Sequence, residues 1–325
     1  MTQVANASIG TARDLDVERA HRFSTDWRRW LQLALAALWV FDGLLQYQTF
    51  MFTKDFAKQI LVPTASGNPA WISDSIQWAA HIVESNPVPI DAAFGTIQLA
   101  IGLAIAWRRS LKVGLAVSIA WSLLVWWFGE GLGGLLTGSA LALMGAPGAV
   151  LLYLVLAVLL WPTARSTVGS FVASQPVGRT AAKLIWVVLW AGLAALNLQP
   201  VNLSAGALYS MEDGMADGQP GWLAGLITAF TNLSRHNGIA LTVIGTAVLL
   251  LVAVSVLLPA RMHRAGVIAG IVVAAFIWVF GEALGGVFGG RGTDVNSGPL
   301  LALIALAYWP NTATSRASVT AGEAA

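Results

Sequence analysis

Hydrophobic positions in this chain come in long unbroken runs rather than in alternation. Eight runs stand out, at about 30–50, 90–107, 113–136, 147–162, 183–200, 237–259, 265–287 and 298–310. A helix needs roughly 20 apolar residues to cross the hydrocarbon core, whereas a barrel strand reads as about 10 alternating ones. The runs therefore predict helices, whose backbone groups pair within their own segment, as lipid demands. The pattern turns mixed over about 51–89 and 201–236, predicting a long loop after the first run and another after the fifth. Within the first loop, Trp71 to Val83 is semi-apolar and reads as a helix lying on the membrane surface.

Composition removes the soluble alternative. The chain is 57% hydrophobic and 10% charged, with a mean hydropathy of +0.70, so its polar groups cannot cover a water-facing surface. A net charge of +2 gives no reason to expect a nucleic-acid partner. There is no cysteine, which excludes disulfides, thiolate metal sites and cysteine nucleophiles. Residues 1–29 are polar and mixed in charge, ending in Trp27-Arg28-Arg29, so the first run is expected to remain as an uncleaved helix. With eight spans both termini share one side. Of the 18 Lys and Arg, only Lys54, Lys58, Arg235 and Arg291 fall on the other, leaving fourteen with the termini. That bias predicts an inner (plasma) membrane protein with both termini cytoplasmic.

The chain also repeats itself. Trp126-Trp127-Phe128-Gly129-Glu130-Gly131-Leu132-Gly133-Gly134 recurs 152 positions later, from Trp278 to Gly286, with seven of nine residues identical. Asn68-Pro69-Ala70-Trp71 is answered by Gln219-Pro220-Gly221-Trp222, Gly95-Thr96 by Gly245-Thr246, and Trp161-Pro162 by Trp309-Pro310. The expected architecture is an all-α integral membrane protein of about eight helices. Two parallel four-helix repeats would be related by a pseudo-twofold axis along the membrane normal. The first repeat spans 30–163 and the second 183–310. A linker covers 164–182, and tails cover 1–29 and 311–325.

Ionisable residues inside spans cost about 2.5–3.5 kcal/mol each on insertion scales and default to functional candidates. Three stand well inside the runs, away from their first residues: Asp42, Glu130 and Glu282. Gln46 and Gln48 follow Asp42, and Asn197 and Gln199 occupy the matching stretch of the fifth run. These seven residues predict a polar, outward-leaning site for a ligand, ion or proton, with Trp126, Trp127 and Trp278 as its aromatic lining. The competing reading makes the glutamates packing elements, each hydrogen-bonded across the bundle. Asp42 is opposite Leu193 in the repeat register, so the shared scaffold does not require it.

Other signals are weaker. His21 and His263 read as solvated neighbours of arginines, and His81 and His236 as surface. The methionines show no spacing that would specify copper, and no metal site is expected. Thr293-Asp294 to Gly298 reads as a turn with an Asx hydrogen bond. Glu212, Asp213 and Asp217 read as a solvated acidic face. No phosphate loop, dinucleotide fingerprint, nucleophile elbow or His-Glu-x-x-His is present, so ATP-driven and self-contained hydrolytic roles are not expected.

The segment Leu33 to Leu45, with its Trp39-Val40-Phe41-Asp42-Gly43 centre, and the loop–helix–helix–helix plan after it resemble the DoxX/DoxD-type membrane families. The Phe-Gly-Glu-Gly-Leu-Gly-Gly signature is also similar to a group of actinobacterial eight-helix membrane proteins. The DoxX resemblance implies quinone-linked redox chemistry, which in a chain without cysteine would need quinone or a partner subunit. Three functions are therefore carried forward. The chain binds a small molecule, ion or proton for transport or sensing, or it is a quinone-linked redox subunit, or it is a scaffold in a larger membrane complex.

Overall fold

The computed structural model describes residues 26–163 and 171–310. His21, with residues 1–25 and 311–325 of the tails and 164–170 of the linker, lies outside the described residues. Among the described residues the secondary structure is helical, with turns and loops and no strand.

Nine longer helices organise them: α1 (26–45), α2 (Ala70–Ser85), α3 (Pro87–Ala106), α4 (Leu111–Phe128), α5 (Ala149–Leu159), α6 (Arg179–Asn197), α7 (Gly221–Ser255), α8 (Ala260–Phe276) and α9 (Ser297–Ala307). Five segments are long and apolar enough to cross a membrane, namely α3, α4, α6, α7 and Ala260–Gly281. These make the chain an α-helical, polytopic membrane protein. α5 and α9 have 11 residues each. At 1.5 Å per residue that is about 16 Å, half of a ~30 Å core.

In the sequence, α3 packs on α4 and α4 on α5, while α6 packs on α7, α7 on α8 and α8 on α9. The two short helices α5 and α9 pack on each other at the centre. One apolar cluster runs through all of this, from Trp39 and Leu115 through Leu156 to Trp190, Val267 and Ile304. In lipid such packing rests on close fit and interhelical hydrogen bonds rather than on water release. α1 and α3 touch at backbone range: a Cβ added to Gly102 would come within 2.6 Å of Val40 and 2.8 Å of the Ala36 carbonyl. Trp39 Nε1 donates to Ser118 Oγ at 3.0 Å, and Trp186 Nε1 to the Val252 carbonyl at 2.8 Å.

Three features bear on the expected spans: the first and third depart from them, and the second is the helix expected within the first loop. First, the third run was expected to be helical to 136, but α4 ends at Phe128. The seventh was expected to reach 287, but regular α8 ends at Phe276 and a wider π-turn ends at Gly281. After each, four consecutive residues turn left-handed: 131–134 in one case and 283–286 in the other. Leu132, Ala283 and Leu284 adopt this conformation without being glycine, at about 1–2 kcal/mol each. Second, α2 is an amphipathic helix with Ile72, Ile76, Ala80 and Val83 buried and Trp71 and Trp78 exposed. It stops at Asn86 because Pro87 has no N–H and disfavours helical backbone before it, and Pro87 then opens α3. Third, the expected second loop over 201–236 is only partly a loop. No proline interrupts 221–255, so α7 runs unbroken for 35 residues. That is about 52 Å, long enough to project past the core. Arg235 lies along it, donating to Tyr209 Oη at 2.6 Å and covering that ring at 4.6 Å.

Candidate functional site

The two glutamates of the repeated segment sit just past α4 and the π-turn, each against the start of a short helix. Glu130 Oε1 accepts from the Val150 N–H of α5 at 3.2 Å. Glu282 accepts from the Ser297 N–H at 3.0 Å, the Gly298 N–H at 2.9 Å and the Ser297 hydroxyl, all at the start of α9. The first N–H groups of a helix have no partner within it and attract carboxylates. Gly148 makes the Glu130 seat possible. It sits at φ +101°, and a Cβ there would run into Glu130 Oε2.

The two carboxyl groups differ in what remains unsatisfied. Both oxygens of Glu282 are engaged, and the residue is 3% exposed. Glu130 Oε2 is buried with no partner.

Helix ends and loops are exchanged between the two parts of the chain. At the end of α1, Asp42 Oδ1 accepts from the Val295 N–H at 2.9 Å, and Asp42 Oδ2 accepts from the Tyr153 hydroxyl. Gln46 Nε2 donates to the Thr293 carbonyl at 2.8 Å, and Gln48 Nε2 to the Gly292 carbonyl at 2.9 Å. At the end of α6, Asn197 Oδ1 accepts from the Ala142 N–H at 3.1 Å, and Asn202 Nδ2 donates to the Ala140 carbonyl at 2.9 Å. Each helix end thus holds the loop that leads into the other part's short helix.

A cavity of about 180 Å³ opens between α1, α3, α4 and the segment around Phe56. Its walls are aromatic: Trp39, Phe56, Phe94, Trp121 and Phe128. Its polar lining is Asp42, Gln46, Gln98, Glu130, Thr293 and Asp294. Among the described residues, no Lys, Arg or His lines it. Four residues of the lining each carry a buried polar atom without a hydrogen-bond partner: Gln46 Oε1, Gln98 Oε1, Trp121 Nε1 and Glu130 Oε2. A buried polar atom left unpaired costs about 1–3 kcal/mol, so convergence of several on one cavity calls for an explanation. Asp91 stands seven residues before Gln98 on the same face of α3. It is fully buried, and both of its oxygens are unpaired.

The expected site residues divide accordingly. Asp42, Gln46 and Glu130 line the cavity. Glu282 is turned onto α9, Gln48 holds the 292 carbonyl, and Asn197 holds the Ala142 loop. Gln199 Oε1 is buried without a partner. The three expected lining tryptophans lie outside the cavity's lining. Trp126 donates to the Pro147 carbonyl at 2.8 Å, Trp278 to the Val295 carbonyl at 2.9 Å, and Trp127 to Ser75 Oγ at 2.9 Å. Each indole holds a loop or α2 in place. Asp42 pairs with Tyr153 and the backbone, not with a glutamate.

Residues missed from sequence are Gln98, Asp91, Trp121, Tyr153 and Asp294. Gln98 and Asp91 gave one signal, their seven-residue spacing within an apolar run. The expected Asx turn at Asp294 is present, with Asn296 N–H donating to its Oδ1 at 2.7 Å, but the residue also lines the cavity. Two surface expectations are corrected. His263 is 5% exposed, packed edge-on against Phe171 at 5.6 Å, because the chain after 171 folds over the start of α8. Glu212 is fully buried with neither oxygen paired, because the short helix Ala207–Glu212 packs against α7. Burial pushes its carboxyl up to about 7.

No family model, curated protein or solved structure matches the chain.

Proposed function

We propose that this polytopic membrane protein holds a small, largely apolar molecule in the cavity beside Glu130, serving transport or sensing without ATP. The observation that carries the reading is the meeting of four unpaired buried polar atoms on one aromatic-walled cavity. Apolar walls with a few convergent polar groups characterise small-molecule sites. In this reading the chain makes eight crossings as two parallel four-helix halves, with both termini cytoplasmic. Crossings four and eight are completed by the non-helical segments that precede α5 and α9. Irregular backbone at such depth is tolerated where it is buried in protein or lines a cavity. Support for two related halves comes from the recurring nonapeptide, the left-handed turns at 131–134 and 283–286, and the reciprocal hold of each first helix on the other half's loop. The fourteen-to-four charge bias supports the orientation.

Native mass spectrometry of gently extracted protein tests the reading. Wild type is expected to carry a bound small molecule that Glu130→Gln loses. Wild type free of ligand under several extraction conditions would overturn it.

A further inference from the structure

We infer that the molecule held in this cavity is a small aralkyl ammonium: one aromatic ring on a short arm ending in a protonated amine. This rests on the binding reading above and names its ligand class.

Hydrogen-bond polarity is the first argument. Of the four unpaired lining atoms, three are oxygens that accept and one is an indole N–H that donates. The orientation of Gln46 is set by its own contact. Its amide nitrogen is spent on the Thr293 carbonyl at 2.8 Å, and its oxygen is left unpaired. Gln46 and Gln98 are 5% and 8% exposed, so water at the surface does not serve them. The residues around the cavity therefore lack donors more than acceptors, and a donor-rich ligand supplies them. An ammonium has three and no acceptor. A quinone brings only carbonyl acceptors.

Charge is the second argument. Asp42, Glu130 and Asp294 line one cavity, and among the described residues no cationic side chain lines it. Buried acids without a counter-charge are costly, and a cationic ligand supplies what the protein leaves out. An inorganic ion fits less well. Among the described residues no three acidic or histidine side chains are grouped to hold a metal.

Shape is the third argument. Trp39, Phe94, Trp121 and Phe128 present aromatic walls, which attract organic cations as well as rings. A cavity of about 150 Å³ takes up benzene. One of about 180 Å³ has room for a ring and a short arm.

The experiment titrates 2-phenylethylamine, its neutral isostere 2-phenylethanol, and benzoquinone into detergent-solubilised protein, by calorimetry and by melting temperature. The amine is expected to bind at least about tenfold more tightly than the alcohol, a difference of ~1.4 kcal/mol. Glu130→Gln and Gln98→Leu should each weaken the amine by about tenfold while changing the alcohol by less than about threefold. The melting temperature of each unliganded variant shows that it is folded. Alcohol or benzoquinone binding as tightly as the amine would overturn the ammonium assignment and leave the binding reading standing. Binding of none of the three, with wild type also bare by mass spectrometry, would overturn both.

Discussion

Two cavities among the described residues lie in comparable places, and the smaller one carries the chemistry. The second, about 380 Å³, lies between α6, α7 and α8. Leu141, Phe230, Leu241, Val248 and Phe276 line it, and among the described residues Asn197 and Thr242 are its only polar side chains. Asn197 is already spent on the Ala142 loop. Counting from shared landmarks shows what differs. Gln98 lies three residues after Gly95, and Val248 lies three after Gly245. Asp91 lies four before Gly95, and Leu241 four before Gly245. The fifth residue of α5 is Tyr153, and that of α9 is Leu301. Asp42 faces Tyr153, whereas its register partner is Leu193. The polar set is replaced by leucine and valine as a group. Volume therefore does not mark the site; unpaired polar atoms do. The broken helix pair α2–α3 stands against the unbroken α7 in the same way, since Pro87 has no counterpart within 221–255.

The largest expected effect falls on the side without the site. Glu282→Leu strands the Gly298 N–H and the Ser297 hydroxyl at the head of α9, each at about 1–3 kcal/mol, and leaves the Ser297 N–H with Asn296 Oδ1 alone. It should lower the melting temperature by roughly 10 °C or more, since about 1 kcal/mol corresponds to 2–4 °C at this size. Glu130→Leu removes one 3.2 Å bond and should cost far less. Equal losses would show that the two carboxyls do the same work. Next, Asn237→Pro places a proline at the point of α7 that corresponds to Pro87. It should cost about 3 kcal/mol or more, read as lost stability and helicity by circular dichroism.

Asp42→Leu gives α1 the residue that α6 has, and it should cost about 1–3 kcal/mol by stranding the Tyr153 hydroxyl and the Val295 N–H. Adding Tyr153→Phe should cost less than the sum of the two singles, with a coupling of about 0.5–3 kcal/mol. Strict additivity in a chemical-denaturation cycle would show that the pair is not an energetic unit. The smallest effect is local. Glu212 titrates near 7 when folded, against 4.5 for an unperturbed carboxyl. The folded state keeps its proton where the unfolded state has lost it. Stability from this group is therefore complete below pH 4.5 and is lost as pH rises through about 7. Hydrogen-exchange protection of Ala207–Glu212 should fall over that window and stay flat in Glu212→Gln.

The helical, membrane-embedded character was legible in the apolar runs, and the acids were legible as exceptions within them. Element ends were less so. Glycines such as those after Phe128 permit close backbone approach and also end helices, and composition alone does not separate the two effects. The continuity of α7 was present in the sequence as an absence of proline. It was obscured by Arg235-His236-Asn237, whose charge reads as a membrane boundary even on an unbroken helix. Gln98 and Asp91 were hidden because α3 is apolar nearly all round, so no polar face marks their direction. The hold of Asp42 on Val295, across 253 positions, depends on how the two parts of the chain meet, and no local pattern encodes it.

The most direct test of the central claim is an electron cryo-microscopy map of the wild-type protein with an antibody fragment bound for size. Discrete non-protein density in the first cavity, with a polar end reaching Glu130 and the side-chain oxygens of Gln46 and Gln98, is the expected result. An empty first cavity with ligand density confined to the second, or seated against Glu282, would contradict the account.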